Sequence, residues 1–387
     1  MTRPSGHILE LLDRLIRFDT VSRNSNLALI DFVRGYLKDL GVDSMLVPDQ
    51  TGKKANLFAT IGPEGVPGVV LSGHTDVVPV DGQDWASDPF SPVEKDGKIF
   101  GRGTADMKSF LAVALGLAPE IKSRGLSTPV HLAFSYDEEI GCVGVRRLIA
   151  ALDALPVRPK ACFVGEPTDM KVAIAHKGKI AMRCKVRGQS CHSSLAPYGV
   201  NAVETAADLV AHLTAMGRRL RNGPLDSDFD PPFTTVHTGT ISGGTALNIV
   251  PAECEFDFEI RTLPQQPPEE LFEEIRSYAT KSLLPAMQAV AKAAGIEWER
   301  LSGFPGLETP PDSEIATLAK SLSGDNAAAK VSFGTEGGLY QKAGIPTVVC
   351  GPGSIDQAHK PNEYVVLDQV ARCETFLRRL IDRLDSR

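Results

Sequence analysis

Two different patterns of apolar residues divide the chain. Four short runs are apolar at successive positions, as expected for strands that helices cover on both faces. These runs are GVVLSG, VHLAFSY, KACFVGE and IPTVVCG. Helical stretches lie between them, such as MKSFLAVALGLAPEIKSRG and GVRRLIAALDAL. The pattern therefore predicts an α/β fold, with a mostly parallel sheet sandwiched by helices.

The middle of the chain carries strands of a second kind. Apolar and charged residues alternate in KIAMRCKVR and ECEFDFEIR, which is typical of an antiparallel sheet with one face in solvent. Helices are predicted at NAVETAADLVAHLTAM and PPEELFEEIRSYATKSLL, and the two-sided pattern returns after them. We therefore predict a main domain over residues 1–176 and 292–387. An inserted α+β domain would occupy residues 177–291.

The composition excludes several classes of protein. The chain has 387 residues, of which 42% are hydrophobic and 23% are charged, as is ordinary for a globular protein. A net charge of −7 without a basic run argues against nucleic-acid and membrane partners. Seven scattered cysteines, never spaced as C-x-x-C, indicate reduced thiols and a cytoplasmic location. We expect neither a signal peptide nor a transmembrane span.

Acidic and histidine residues follow the four buried runs. They are His74 and Asp76 after the first run, Asp137, Glu138 and Glu139 after the second, Glu166 after the third and His359 after the fourth. A further acid, Asp106, lies in GRGTADMK just before a predicted helix. Each residue alone has an ordinary explanation, such as a helix cap or a solvated charge. Because open α/β sheets place their sites beyond the carboxyl ends of parallel strands, we expect these side chains to meet.

Two histidines with several carboxylates suit a metal such as zinc, cobalt or manganese. Carboxylates that lie close together raise one another's pKa values unless cations compensate their charge. Two divalent ions about 3.5–4 Å apart would neutralise such a cluster and activate water as a nucleophile. Glu138 or Glu139 could then take the proton of that water. Both side chains would reach the site only on an irregular backbone.

Five segments resemble the co-catalytic metallo-exopeptidase family, in the right order along nearly the whole chain. They are SGHTDVVP, GRGTADMKS, YDEEIGCVGVR, VGEPT and HKPNEY. The resemblance implies that His74, Asp106 and Glu166 hold one metal ion, and that Asp106, Glu139 and His359 hold a second. Zinc would be the native metal, with cobalt as the alternative. Glu138 would act as general base and acid.

The resemblance implies two further details of the metal site. Asp76 would orient the ring of His74 by a hydrogen bond, which is the usual way to fix the tautomer of a metal ligand. The peptide bond that follows the shared ligand Asp106 would be cis.

The inserted domain acquires a function from the same resemblance. It would form the interface of a homodimer and close over the metal ions. His192, in the segment RGQSCHSSLAPYGVNA, would stabilise the oxyanion of the reaction, with a helix-capping loop as the alternative. Asn248 and Arg261 would bind the substrate carboxylate, since arginine can do so with two hydrogen bonds. As a strand residue, Arg261 could equally be a solvated charge.

The C-terminal segment from FGTEGG to HKPNEYV indicates the substrate. It is most similar to family members that hydrolyse N2-acetyl-L-ornithine to acetate and L-ornithine. Members that remove succinyl groups carry Ser-Asp after Gly-Thr, whereas Glu336 and Gly337 follow Thr335 here. We therefore expect Thr335 and Glu336 to contact the substrate, with the Glu336 carboxylate facing the δ-ammonium group. A helix cap is the alternative for Glu336.

Other functions remain open at this point. Within the family, the chain could remove succinyl groups from N-succinyl-diaminopimelate or act more broadly on N-acyl amino acids and peptides. A phosphoryl hydrolase could also use two metal ions, but GRGTADMK lacks the G-x-x-x-x-G-K-[ST] pattern. A non-catalytic binding protein would be expected to lack some of the ligands or the base. The sequence therefore favours an amidohydrolase that acts on a small N-acyl amino acid.

Overall fold

The strands that the sequence predicts to be covered on both faces form one large sheet. The computed structural model describes residues 2–155 and 157–385. The strands are β1 (Ser44–Pro48), β2 (Ala55–Ile61), β3 (Val69–His74), β4 (Val93–Lys95), β5 (Lys98–Phe100), β6 (Val130–Ser135), β7 (Ala161–Pro167), β8 (Ala173–His176), β9 (Gly178–Arg187), β10 (Thr235–Gly243), β11 (Glu253–Thr262), β12 (Gly295–Phe304), β13 (Leu307–Glu308), β14 (Ala329–Val331), β15 (Thr347–Gly351) and β16 (Tyr364–Val366).

Helices connect many of the strands. The α-helices are α1 (Gly6–Ile16), α2 (Leu27–Asp39), α3 (Lys108–Gly116), α4 (Ala118–Arg124), α5 (Val143–Leu152), α6 (Ala202–Leu220), α7 (Pro268–Tyr278), α8 (Leu284–Val290), α9 (Glu314–Ser323), α10 (Gly337–Lys342) and α11 (Leu367–Leu384). A 3₁₀ helix covers Ser193–Tyr198, and a π-helical turn covers Ala279–Leu283. Within the described residues, none of the helices combines the length and the apolar character that crossing a membrane requires.

The chain divides into two units. The first comprises the described residues up to Ala175, Thr309–Lys330 and the described residues from Thr335 onward, and the second comprises His176–Glu308 and Val331–Gly334. In the first unit the large sheet has the strand order β1-β2-β6-β3-β7-β15-β8. Its centre is parallel, because β3 runs parallel to β6 and β7, and β15 runs parallel to β7. The predicted α/β class is confirmed.

Close packing behind the sheet positions the segment that precedes helix α3. Every residue of β3, β6, β7 and β15 is buried, as their apolar runs predict. Phe110 of α3 packs directly on Gly165 of β7, where a Cβ atom would lie only 1.9 Å from the ring. A side chain at that position would push the helix away. The glycine therefore keeps α3, and Asp106 just before it, close to the strand that carries Glu166.

A small sheet in the first unit joins two distant segments. Its strand order is β16-β5-β4, and Tyr364 of β16 pairs with Phe100 of β5. The residues that follow β5 therefore lie beside the residues that precede β16. These two segments carry Asp106 and His359.

The second unit contains the antiparallel sheet predicted from the alternating pattern. Its strand order is β10-β11-β9-β12. Alternate residues of β11 are buried, and helices α6 and α7 pack on that apolar face through Leu209, Leu213 and Ile275. The unit extends to Glu308, past residue 291, because β12 pairs with β9. As an edge strand with mostly exposed or half-exposed residues, β12 lacks the clear alternation that marks its neighbours.

Candidate active site

The polar residues that follow the buried strands meet at the carboxyl ends of these strands. His74 is the last residue of β3 and lies opposite Ser135, the last residue of β6. Glu166 lies near the end of β7, which also runs parallel to β3. Because these strands end together, side chains that are far apart in the sequence come within contact distance.

Asp106 lies between two histidines and directs one carboxylate oxygen at each. Its Oδ1 is 3.0 Å from Nε2 of His74, and its Oδ2 is 3.2 Å from Nε2 of His359. Nε2 of His74 is also 3.6 Å from Oε1 of Glu166, and Nε2 of His359 is 3.1 Å from Oε2 of Glu139. The five side chains thus form two donor groups that share Asp106. The peptide bond after Asp106 is cis, as the family resemblance implies.

The spacing of these donor atoms fits a pair of divalent metal ions. Tetrahedral zinc binds nitrogen and oxygen at about 2.0–2.2 Å, which places neighbouring ligand atoms roughly 3.3–3.6 Å apart. The four distances between donor atoms in the two groups, 3.0–3.6 Å, are close to that spacing. Oε1 of Glu139 is also buried and has no hydrogen-bond partner among the described residues. A cation beside it would satisfy this oxygen.

The ring of His74 is oriented for a metal. Its Nδ1 lies 2.9 Å from the backbone carbonyl oxygen of Asp76. A carbonyl oxygen can only accept, so Nδ1 carries the proton and donates it. Nε2, which faces Asp106 and Glu166, is therefore the ring nitrogen that a metal ion would bind in place of a proton.

Burial of several carboxylates in one place changes their pKa values. Burial raises the pKa of Glu138 to about 8, although the charge of His74 opposes this shift. Burial, followed by the charge of Asp106, raises the pKa of Glu139 to about 7. The pKa of Glu166 is raised well above its ordinary value, first by burial and then by the charge of Asp106. Burial alone would lower the pKa of His74, but Glu166 and Asp106 raise it well above its ordinary value. Divalent cations would offset this repulsion among the carboxylates.

Glu138 lies directly beside the donor groups. A carboxylate oxygen of Glu138 and ligand atoms of His74 and Glu166 all lie within 4.8 Å of one another. Oε1 of Glu138 also accepts a hydrogen bond from the thiol of Cys142, with 3.2 Å between sulfur and oxygen. No pattern in the sequence predicts this contact, although Cys142 stands in the segment YDEEIGCVGVR that carries the family resemblance. The position suits a group that exchanges protons with a reacting molecule.

An irregular backbone brings both Glu138 and Glu139 to the site, as their adjacency requires. Asp137 before them has a left-handed φ of +54°. The carboxylate of Asp76 then accepts the N–H groups of Glu138 and Glu139 at 3.1 and 3.3 Å. Asp76 thus orients the ring of His74 through its backbone carbonyl and not through its carboxylate. The carboxylate oxygen is 3.6 Å from Nδ1, which is too far for a hydrogen bond.

Thr335 and Glu336 lie in the interior of the first unit, and their contact with substrate stays a prediction. Glu336 is 1% exposed, and its carboxylate accepts hydrogen bonds from Ser135 and, at 3.2 Å, from Ser72. Oγ1 of Thr335 accepts the N–H of Gly337 at 2.9 Å and so caps helix α10. Both side chains are engaged inside the protein. The Glu336 side chain itself makes no capping hydrogen bond.

His192, Asn248 and Arg261 all belong to the second unit. His192 is exposed, and its Nδ1 accepts the N–H of Ser194 at the start of the 3₁₀ helix. Asn248 is exposed as well. Arg261 is partly exposed and donates from Nε to Glu259 over 3.1 Å. Their assignment to substrate remains a prediction.

Arg102 and Glu363, which were not among the site residues predicted from the sequence, form a buried ion pair near the ligands. Nη1 of Arg102 is 2.6 Å from Oε2 of Glu363, and each residue is 1% exposed. The sequence signal is modest: one charged residue stands in GRGTADMK and its partner in HKPNEY. Since buried charges need partners, opposite charges in two site segments can indicate that the segments meet.

The fold and the donor groups define a hydrolase of the dinuclear metallopeptidase class. The profile of Peptidase family M20/M25/M40 matches residues 70–383, and the chain belongs to this family. It is 36% identical to an acetylornithine deacetylase of Edwardsiella ictaluri (strain 93-146) over 388 residues, which cover 98% of each chain.

Solved structures of the same family share the fold. An M20 family metallo-carboxypeptidase from Sulfolobus solfataricus superimposes with a TM-score of 0.77 at 18% identity, covering 98% of this chain and 100% of that chain. A dinuclear metal-binding peptidase of the M20 family from Bacillus subtilis gives a TM-score of 0.68 at 16% identity, with coverages of 98% and 97%. The family predicted from the sequence motifs is therefore confirmed.

Proposed function

We propose that the protein hydrolyses N2-acetyl-L-ornithine to acetate and L-ornithine, using two divalent metal ions. The placement of Asp106 carries the proposal, because each of its carboxylate oxygens faces a different histidine, at 3.0 and 3.2 Å. The choice of substrate is supported by the acetylornithine deacetylase of Edwardsiella ictaluri, whose 36% identity extends over 98% of both chains.

Five side chains would hold the metal ions. His74, Asp106 and Glu166 would bind one ion, and Asp106, Glu139 and His359 would bind the other. When bound, such ions polarise a substrate carbonyl and lower the pKa of water. Imidazole and carboxylate ligands suit zinc, with cobalt as the alternative. Metal analysis of the protein purified without added metal distinguishes the two.

Glu138 is the proposed proton carrier. It takes a proton from the attacking water and gives it to the amine that leaves. The Cys142 thiol donates to Oε1, so we assign the proton exchange to Oε2. The two N–H groups held by the Asp76 carboxylate keep the backbone of Glu138 in place.

A substrate panel tests the proposed activity. Protein reconstituted with zinc or cobalt should hydrolyse N2-acetyl-L-ornithine with a higher kcat/KM than N-succinyl-diaminopimelate or an acetylated neutral amino acid. A chelator should abolish the activity, and added metal should restore it. A higher kcat/KM for the succinylated compound would select desuccinylation instead. Protein that holds two ions per chain but cleaves no N-acyl amino acid would contradict catalysis altogether.

We extend the proposal to the exposed His192 of the second unit, as a donor to the oxyanion of the transition state. Replacing His192 by alanine should lower kcat by about 10²-fold and change KM much less, since the contact forms only in the transition state. Steady-state kinetics at saturating metal provide the measurement. His237→Ala is the matched control, because His237 is an exposed histidine on β10 of the same unit. Equal kinetics for the two variants would remove His192 from the mechanism.

Asn248 and Arg261 are proposed to bind the substrate carboxylate. Their replacement by alanine should therefore raise KM more than it lowers kcat. A loss confined to kcat would argue against this assignment.

We also propose that the inserted domain, predicted over residues 177–291, provides the interface of a homodimer and acts as a lid over the metal ions. In the second unit, Ile241 on the edge strand β10 is 54% exposed and Leu247 is fully exposed, so apolar surface is available to a second copy. Sedimentation should give about twice the chain mass of 41.5 kDa; the mass of one chain would contradict the dimer.

We further propose that the protein acts in arginine biosynthesis in the cytoplasm, because L-ornithine is the proposed product. Expression of the chain should restore growth without arginine to a bacterial strain that lacks the deacetylase step. A failure to restore growth by an active, expressed protein would contradict this role.

A further inference from the structure

A buried carboxylate holds the backbone of the segment that presents Asp106. Glu363 is 1% exposed, and its side chain accepts four hydrogen bonds. The donors are Nη1 of Arg102 at 2.6 Å, the N–H of Gly103 at 3.1 Å, the N–H of Ala105 at 2.8 Å and the N–H of Asp106 at 3.1 Å. Each oxygen takes two of these donors. The carboxylate is therefore fully engaged within the protein and does not serve as a metal ligand.

The same residues are connected to the segment that presents His359. Arg102 donates from Nη1 to the carbonyl oxygen of Lys360 over 3.3 Å and from Nη2 to Oε1 of Gln83 over 2.6 Å. Nε2 of Gln83 donates in turn to the carbonyl oxygen of His359 over 3.0 Å. A continuous series of hydrogen bonds thus joins the backbone of Asp106 to the backbone of His359.

The local backbone explains why these segments need such support. Gly103 has a φ of +85°, and His359 has a φ of +64°. The turn at Gly103 allows the N–H groups of Gly103, Ala105 and Asp106 to converge on the carboxylate of Glu363. A left-handed conformation is unfavourable for histidine and persists where its surroundings hold it. The network supplies a contact of this kind at the carbonyl oxygen of His359.

The two donor groups differ in what holds their members. His74 and Glu166 belong to β3 and β7, whose ladder hydrogen bonds lie in the centre of the large sheet. His359 lies in a turn outside any helix or strand. A change in the network is therefore expected to displace both Asp106 and His359 in one donor group. In the other group it would displace only the shared Asp106, while His74 and Glu166 stay in place.

We infer that Glu363, together with Arg102 and Gln83, is a positioning residue that sets the affinity of the metal ion bound by Asp106, Glu139 and His359. The inference rests on the proposed function, because it presupposes that both donor groups bind metal. Glu363 acts through the backbones of two ligands and touches neither metal nor substrate.

Cobalt titration of the metal-free Glu363→Gln variant tests the inference. The change keeps the size of the side chain but removes the charge that pairs with Arg102. It also places an NH2 group opposite backbone N–H groups that donate to the carboxylate in the unsubstituted protein. Binding of the first equivalent of Co²⁺ should remain within about threefold of the unsubstituted protein, whereas the second equivalent should bind roughly 10–100-fold more weakly. Visible absorbance and calorimetry follow the two steps. At saturating Co²⁺ the activity should recover.

Two controls separate positioning from a general loss of structure. Glu374→Gln removes a buried carboxylate of helix α11 that accepts the N–H of Ser5 and pairs with Arg378, and both binding steps should be unchanged. Gln83→Ala interrupts the connection to His359 without altering Glu363, so it keeps the inference testable if Glu363→Gln does not fold. Its own control is Gln369→Ala, which removes a glutamine of helix α11 whose Nε2 donates to Oδ1 of Asp169 over 3.1 Å. The second equivalent should bind more weakly to Gln83→Ala than to this control.

The possible outcomes distinguish this inference from the proposed function. If the unsubstituted protein binds cobalt in two steps, and both steps are unchanged in Glu363→Gln and in Gln83→Ala, the inference is overturned. The proposed function would still stand. Equal weakening of both steps would also overturn it, because the network would then stabilise the whole site. Absence of any cobalt binding by the unsubstituted protein would overturn both.

Discussion

Replacing Glu138 by glutamine is expected to leave two metal ions bound and to lower kcat for N2-acetyl-L-ornithine by roughly 10²–10⁴-fold. Glutamine has nearly the same shape, but it cannot accept a proton from water or return one to the leaving amine. The donor groups around Asp106 would remain complete. Metal analysis after gel filtration, together with steady-state kinetics, provides the measurement.

Glu138→Gln also tests whether Glu138 is a metal ligand. Since an oxygen of Glu138 lies within 4.8 Å of ligand atoms of His74 and Glu166, the residue could instead bind metal directly. Loss of an ion from Glu138→Gln would show this and would contradict its assignment as the proton carrier. Glu374→Gln serves as the control, because it changes a buried glutamate of the same unit outside the site and should retain both metal and activity.

Replacing Asp106 by asparagine is expected to have the larger effect on metal content. An amide keeps one oxygen, so its NH2 group would face either His74 or His359 in place of a ligand atom. The shared charge between the two donor groups would also be lost. We expect fewer than two ions per chain and a fall in kcat/KM of at least about 10³-fold, since metal ions contribute several kcal/mol to such reactions.

Asp257→Asn is the control for this substitution. The Asp257 carboxylate pairs with Arg183 in the second unit, with both contacts at 2.8 Å, so its loss should leave metal content unchanged. If Asp106→Asn retained two ions and near-normal kinetics, Asp106 would not be a shared ligand, and the proposed dinuclear site would lose its central residue.

The pattern along the chain was sufficient to predict the fold class and the meeting of the site residues. Runs such as VVLSG are apolar on both faces, and such strands are stable only when helices cover both sides of a parallel sheet. In a parallel sheet the carboxyl ends of the strands lie at the same edge, so His74, Glu166 and the acids after β6 were expected at that edge. These conclusions need only periodicity and chain order, which are properties of the sequence.

The partners of individual side chains could be learned only from the folded chain. Asp76 holds the backbone of Glu138, Glu336 is enclosed by Ser72 and Ser135, and Glu363 holds the loop before Asp106. Each pair combines residues from distant parts of the chain, and no spacing rule relates them. Strand β12 could likewise be assigned to the second unit only from its pairing with β9. As an edge strand with mostly exposed or half-exposed residues, it shows little alternation of apolar and polar residues. Packing and hydrogen-bond geometry in three dimensions therefore decided which polar residues face the site and which ones support it.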